Sequence, residues 1–263
     1  MSRFKYGTDE FRVMPFADIN GIRMHYETEG QGTPIVLVAG FCANTGFFKQ
    51  LIPDLAEDHM VVYFDNRGAG TTVFDGETIR SQDFVDDILA LFDHLGLEKA
   101  HLLGWSLGAH MSQEFALQHP DRLLSLTLIS AYAYRPARSS YFMNGIVDCA
   151  LEGGDPSYIS MMTNSFCFTE EFFQRQEAKG HKLNRIPGLS ARGLKGQMNA
   201  LDEFDTRETV QNITVPTLSI HGLEDIMVEP SCGDYISERI PGCEVLRIPG
   251  QGHIIKPSLS SFE

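Results

Sequence analysis

The sequence predicts an α/β fold: a doubly wound, mostly parallel sheet, interrupted once by a helical cap insertion. Three observations lead there. Short apolar runs, among them Pro34 to Ala39, Met60 to Phe64, Ala100 to Leu103 and Leu123 to Ile129, alternate with helical patterns at spacings that suit parallel crossovers. Pro34 to Ala39, PIVLVA, is continuously apolar, as in a strand buried on both faces. At Gly104-Trp105-Ser106-Leu107-Gly108 the period switches from strand to helix within one tight turn.

Taken in order, Phe11 to Ile19 and Ile22 to Thr28 are β-rich runs joined by Asn20-Gly21, a two-residue hairpin signal. Gly40 to Asn44 is a loop, and Gly46 to Ala56 is expected to be a helix. Asp65-Asn66-Arg67-Gly68-Ala69-Gly70 is a glycine-rich loop with neither G-x-G-x-x-G nor a P-loop lysine, so it is not a phosphate site. Arg67 is expected to brace this loop rather than meet a substrate carboxylate. Ser81 is expected to cap a long helix carrying Phe84, Ile88, Leu91, Phe92 and Leu95 on one side and ending at Gly96. A further helix follows Ser106 and stops at His119-Pro120.

From Tyr132 the strand pattern lapses. Residues 132–205 are expected to form the cap, with helices Ser139 to Leu151, Pro156 to Asn164, Thr169 to Lys179 and Ser190 to Phe204, punctuated at Ile186-Pro187-Gly188. Residues 1–131 and 206–263 make the core, which resumes with strand Val215 to Ile220, a helix near Pro230 to Arg239, and strand Glu244 to Ile248.

Composition narrows the partners. The 263 residues are 43% hydrophobic and 21% charged, which suits a globular chain with a sizeable core. No apolar stretch reaches membrane-spanning length and the N-terminus has no signal-like apolar segment, so a cytoplasmic location is expected. The five cysteines lack C-x-x-C spacing and read as reduced, partly buried residues. A formal charge of −14 disfavours nucleic acid and anionic membranes. A small-molecule partner is expected, with the chain acting as a monomer or a homodimer.

Chemistry is concentrated at predicted strand ends. In the Gly104 to Gly108 turn, a side chain at either glycine would collide with a neighbouring strand or helix, while Ser106 is held strained and exposed at the N-terminus of the next helix. By itself this pentapeptide is a weak signal, because a glycine-rich chain produces it by chance. A base and an acid must accompany it. Beyond the Val215 to Ile220 strand, Asp225 is preferred to Glu224 as the acid, from its place between Gly222 and Pro230. Beyond the Glu244 to Ile248 strand, His253 stands in the loop Pro249-Gly250-Gln251-Gly252-His253. His221 also ends a strand and is the rival base, but it precedes the acid. His110 is expected to face outward or into a helix contact.

The chain order Ser106, Asp225, His253 resembles that of α/β-hydrolases. The resemblance runs from about Phe16 to the C-terminus, through Ala39-Gly40-Phe41, Asp65 to Gly70, Gly104 to Gly108, Gly222 to Pro230 and Gly250 to His253. Gly-Trp-Ser-Leu-Gly and Phe204-Asp205-Thr206-Arg207 are most similar to the small esterase and lactonase branch that includes 3-oxoadipate enol-lactonase-like proteins. Three features depart from the pattern. Ala39-Gly40 replaces the usual His-Gly, Ala109-His110 replaces a glycine after the turn, and only ten residues follow His253 where a longer final helix is usual.

The resemblance implies two-step acyl transfer: Ser106 as nucleophile, His253 as base, Asp225 orienting it, and the backbone N–H groups of Phe41 and Leu107 as the oxyanion hole. Such chemistry requires no metal and no organic cofactor. Trp105, Phe142, Met161, Met162 and Phe166, with Phe168, are expected to line an apolar pocket, favouring an uncharged ester or lactone. A ligand-sensing protein on the same fold, or a C–C bond hydrolase or perhydrolase using the same residues, are the alternatives.

Overall fold

Asn20 and Gly21 take positive φ of 44° and 73°, the geometry of a tight hairpin, and join β1 (Phe16–Ile19) to β2 (Ile22–Glu29). The structure, a computed structural model, describes residues 15–72, 74–76, 78–178 and 190–255. Phe11 to Met14 of the first β-rich run, Lys179, the Ile186-Pro187-Gly188 punctuation and the segment after Ile255 lie outside the described residues. The other strands are β3 (Thr33–Val38), β4 (His59–Phe64), β5 (Ala100–Trp105), β6 (Leu123–Ile129), β7 (Thr217–Gly222) and β8 (Glu244–Ile248). They form one eight-stranded sheet in the order β1-β2-β4-β3-β5-β6-β7-β8. The pairs β1/β2 and β2/β4 are antiparallel and all others are parallel.

The winding reverses beside β3: the chain moves outward to β4, then returns to place β5 on the other side. Loops leaving β3 and β5 therefore diverge, which opens a crevice at their C-terminal ends. Register aligns Val38 with Gly104, Trp105 with Ile129, and Gly222 with Ile248, so the segments that follow all emerge at one edge.

Both faces of the sheet are covered. On one, α2 (Ser81–His94) and α3 (Leu107–Gln118) bury Phe84, Leu91, Phe92, Met111 and Phe115 against Val36, Val62, Leu102 and Leu126. On the other, Leu37, Val61, Tyr63 and Leu103 pack with Phe48 and Ile52. Between β6 and β7 lie α4 (Ala137–Leu151), α5 (Pro156–Cys167), α6 (Glu170–Ala178) and α7 (Ala191–Glu203), and α8 (Pro230–Ser237) precedes β8. Among the described residues no helix is long and apolar enough to cross a membrane.

Two local expectations are corrected. The helix expected over Gly46 to Ala56 is instead a 3-10 turn, Thr45–Phe48, followed by the single turn α1 (Ile52–Leu55). Asn44 caps the first piece by accepting the Gly46 N–H, and Pro53 lacks the N–H that a continuous helix would need there. Ser81 is not the cap of α2. Arg80 holds that position, its N–H donating to the Asp83 carboxylate at 2.8 Å, while the Ser81 hydroxyl donates to Glu114 at 2.6 Å. The helix ends as expected, with Gly96 at φ 65°.

Candidate active site

Ser106 joins β5 to α3 at φ 53° and ψ −118°, a backbone state that disfavours any residue with a side chain. Its neighbours force the shape. A Cβ at Gly104 would stand 2.4 Å from the Gly108 carbonyl oxygen, and one at Gly108 would stand 2.0 Å from that of Val38. The Ser106 N–H donates to the Ile129 carbonyl at 2.9 Å, which ties the turn to β6. Gly40 lets the loop after β3 press against it: a Cβ there would lie 3.4 Å from the Ser106 Cβ.

His253 Nε2 lies 2.9 Å from Ser106 Oγ, and His253 Nδ1 lies 2.8 Å from Asp225 Oδ2. An ionised carboxylate only accepts, so Nδ1 carries the proton and Nε2 is free to accept the serine hydroxyl. The other Asp225 oxygen accepts the N–H groups of Met227 and Val228 at 2.9 and 2.8 Å. Burial opposes charge on Asp225, but His253, His221 and the Val228 N–H outweigh it and hold the carboxyl well below the usual carboxylate range. Glu224, the other acid considered, is exposed.

His221 takes a supporting position. Its Nε2 lies 2.9 Å from the Val228 carbonyl oxygen, an acceptor, so this nitrogen carries the proton. The same nitrogen is 3.3 Å from Asp225 Oδ2. His110, expected to face outward or into a helix contact, is buried under the turn between the rings of Tyr132 and Phe204. Burial drives its imidazole well below the ordinary range, so it is neutral.

A cavity of about 730 Å³ opens over Ser106 and His253. Phe41 and Trp105 line it, as does Phe168. The Phe41 and Leu107 N–H groups donate to no acceptor among the described residues, and Leu107 begins α3, where N–H groups have no helical partner. The remaining expected pocket residues do not line it. Phe142 and Phe166 stack on each other at 4.0 Å between centroids, and Met161 and Met162 point outward with 53% and 38% exposure. Their helices turn other residues to the cavity: Ser139 and Met143 from α4, and Thr163, Asn164 and Cys167 from α5. The 139/143 and 163/167 spacings are helical neighbours, a signal present in the sequence, while Phe142, Met161, Met162 and Phe166 stand at adjacent positions on other faces.

Cys42 and Cys167 also reach this cavity, yet burial pushes both thiols up, that of Cys167 to about 12. Held as thiols, they are weak nucleophiles. Arg67 braces its loop, binding Asp87 through Nε and Nη2 at 3.0 and 2.6 Å and the Asn20 carbonyl at 3.0 Å. A further contact had no sequence signal: the His253 carbonyl accepts both the Trp105 indole N–H at 3.1 Å and the Ser130 hydroxyl at 3.0 Å.

Comparison with known proteins agrees with this architecture. The chain is 26% identical over 248 residues to a protein of Azorhizobium caulinodans named "Putative carbamate hydrolase RutD", covering 91% of each. It is 28% identical over 240 residues to the pimeloyl-[acyl-carrier protein] methyl ester esterase of Aeromonas hydrophila, covering 86% of this chain and 91% of that one. The enol-lactonase structure from Burkholderia xenovorans LB400 matches with a TM-score of 0.81 at 22% identity, over 89% of this chain and 91% of that one, a likeness of fold. The family described as alpha/beta hydrolase fold matches residues 33–257. By that match the chain belongs to the alpha/beta hydrolase fold family, and it is a hydrolase of that fold.

Proposed function

We propose that this hydrolase cleaves small, mostly apolar carboxylic esters or lactones through an acyl-enzyme on Ser106. The observation that carries the reading is the unbroken series Ser106 Oγ, His253, Asp225, linked at 2.9 and 2.8 Å, with Ser106 and His253 lining the cavity. Ser106 attacks the substrate carbonyl carbon while its proton passes to His253 Nε2. Asp225 holds the imidazole in the required tautomer and stabilises the imidazolium. The oxyanion is received by the Phe41 and Leu107 N–H groups, each such donor typically contributing about 3 kcal/mol. Collapse breaks the acyl C–O bond, and His253 returns the proton to the leaving oxygen. Water then gives its proton to His253, attacks the acyl carbon and releases the acid with Ser106 restored. In a lactone the leaving oxygen stays attached, and the product is a hydroxy acid.

Side chains such as Phe41, Phe47, Trp105, Met143 and Met227 around the reacting atoms favour uncharged acyl groups. The test is hydrolysis of p-nitrophenyl esters of graded length, a lactone series and a phenyl carbamate by wild type and Ser106→Ala near pH 7.5. Ester or lactone turnover is expected to fall by at least about 10³-fold in the variant. Turnover confined to the carbamate would redirect the substrate assignment; equal activity in the two proteins would remove Ser106 as nucleophile.

A further inference from the structure

We propose that Trp105 and Ser130 are positioning residues for His253, acting jointly through its backbone carbonyl. The proposal rests on the serine-hydrolase reading above. His253 lies five residues beyond the last residue of β8, Ile248, in a loop without regular structure, so no ladder fixes its backbone. Its imidazole must nevertheless meet Ser106 on one side and Asp225 on the other.

The peptide group between His253 and Ile254 is held at both ends. Its oxygen accepts from Trp105 Nε1 and Ser130 Oγ at 3.1 and 3.0 Å, which uses both lone pairs, and its N–H donates to the Cys167 carbonyl at 3.0 Å. The two donors come from neighbouring parallel strands, since Trp105 is in register with Ile129, the residue before Ser130. Trp105 also immediately precedes Ser106. A shift of the β5 end therefore carries the nucleophile and the support of its base together, preserving their separation.

Ser130 supplies an independent sign that its hydroxyl matters. It is fully buried and sits at φ 52°, where glycine is comfortable and serine is strained. The strain is met where its hydroxyl has a single acceptor, the His253 carbonyl. Trp105, the one tryptophan of the chain, is fixed in plane by edge-on contact with Phe47 at 4.9 Å and 85°, which aims its N–H.

The experiment compares wild type, Ser130→Gly, Trp105→Phe and Ser106→Ala. Its readouts are kcat and KM on p-nitrophenyl butyrate, the rate of labelling by a fluorophosphonate, Tm, and the downfield proton resonance of the histidine N–H bound to Asp225. Ser130→Gly suits the left-handed backbone and Trp105→Phe keeps an aromatic ring against Phe47, so both variants are expected to fold. Each is expected to lower kcat and labelling by about tenfold or more, the scale of a small misplacement of a reacting group. In Ser130→Gly, at a residue that does not line the cavity, KM stays within about twofold, and in both variants the imidazole resonance shifts or broadens. A purely structural role for Ser130 expects Ser130→Gly to shift Tm alone while kcat and the resonance stay as in wild type; unchanged kcat and resonance in Ser130→Gly or in Trp105→Phe, whatever the Tm, overturn the proposal. Wild-type turnover and labelling that do not depend on Ser106 would instead defeat the underlying serine-hydrolase reading.

Discussion

Asp225 shows how a single buried side chain is made to keep its charge. Its carboxylate is removed from water, which favours the neutral acid, yet it receives two backbone N–H groups and faces two imidazoles. The balance holds it below its ordinary 3.8, with burial the largest opposing effect. A folded-state value below the unfolded one stabilises the native state above about pH 4, and this contribution is lost as pH falls below 3.8. Asp225→Asn is therefore expected to flatten the acid side of a plot of unfolding free energy against pH, measured by urea denaturation between about pH 2 and 5. It should also lower kcat by roughly 10³ to 10⁴-fold at neutral pH, because an amide does not impose the required tautomer. An unchanged acid slope would mean that Asp225 is not the depressed carboxylate. Ser106, Asp225 and His253 are legible in the sequence as a group that meets, because each stands just beyond a strand end at the same sheet edge. Met143 and Asn164 are not, because which face of a helix meets a cavity depends on how that helix packs.

Glycine has opposite meanings in α3 and α4. At Gly108 a Cβ would lie 2.0 Å from the Val38 carbonyl, so the helix after Ser106 can approach β3 only without a side chain there. At Gly145, exposed in the interior of α4, nothing lies within 4 Å of the position a Cβ would take. Gly108→Ala is expected to cost at least about 3 kcal/mol, since backbone rather than a movable side chain must yield. Gly145→Ala should instead gain about 0.5–1 kcal/mol from helix propensity. Thermal and urea unfolding of the pair measure both; similar shifts in the two variants would contradict the steric account of the turn. This part of the fold is legible because a strand period, two glycines and a helical period all agree. The short pieces near Asn44 are less legible, since a local cap and Pro53 interrupt what composition alone makes helical.

At the scale of the whole molecule, residues 132–205 read from sequence as an addition to the sheet, because the strand pattern stops and returns. Their helices share buried packing with the helices that cover the sheet. Met143, Val147, Leu194, Met198, Leu201 and Phe204 belong to the same buried cluster as Phe84, Leu91 and Phe115 of α2 and α3. Gln197, fully buried in α7, accepts the Cys42 N–H at 2.7 Å and donates to the Arg67 carbonyl at 2.9 Å, joining the loops after β3 and β4. At the base, the Thr206 N–H donates to the Ala133 carbonyl at 2.7 Å. These contacts join residues far apart in sequence, so no local pattern announces them. Each of the six apolar side chains contributes about 1.5–3 kcal/mol on burial, which together rivals the roughly 5–15 kcal/mol that holds a typical domain folded. The chain should therefore melt in one transition by calorimetry. Replacing residues 137–204 with a short glycine-serine linker should abolish that transition rather than leave a stable sheet with an open site. A cooperative melt and intact near-ultraviolet circular dichroism in the shortened chain would show that the helices are a separable cap after all.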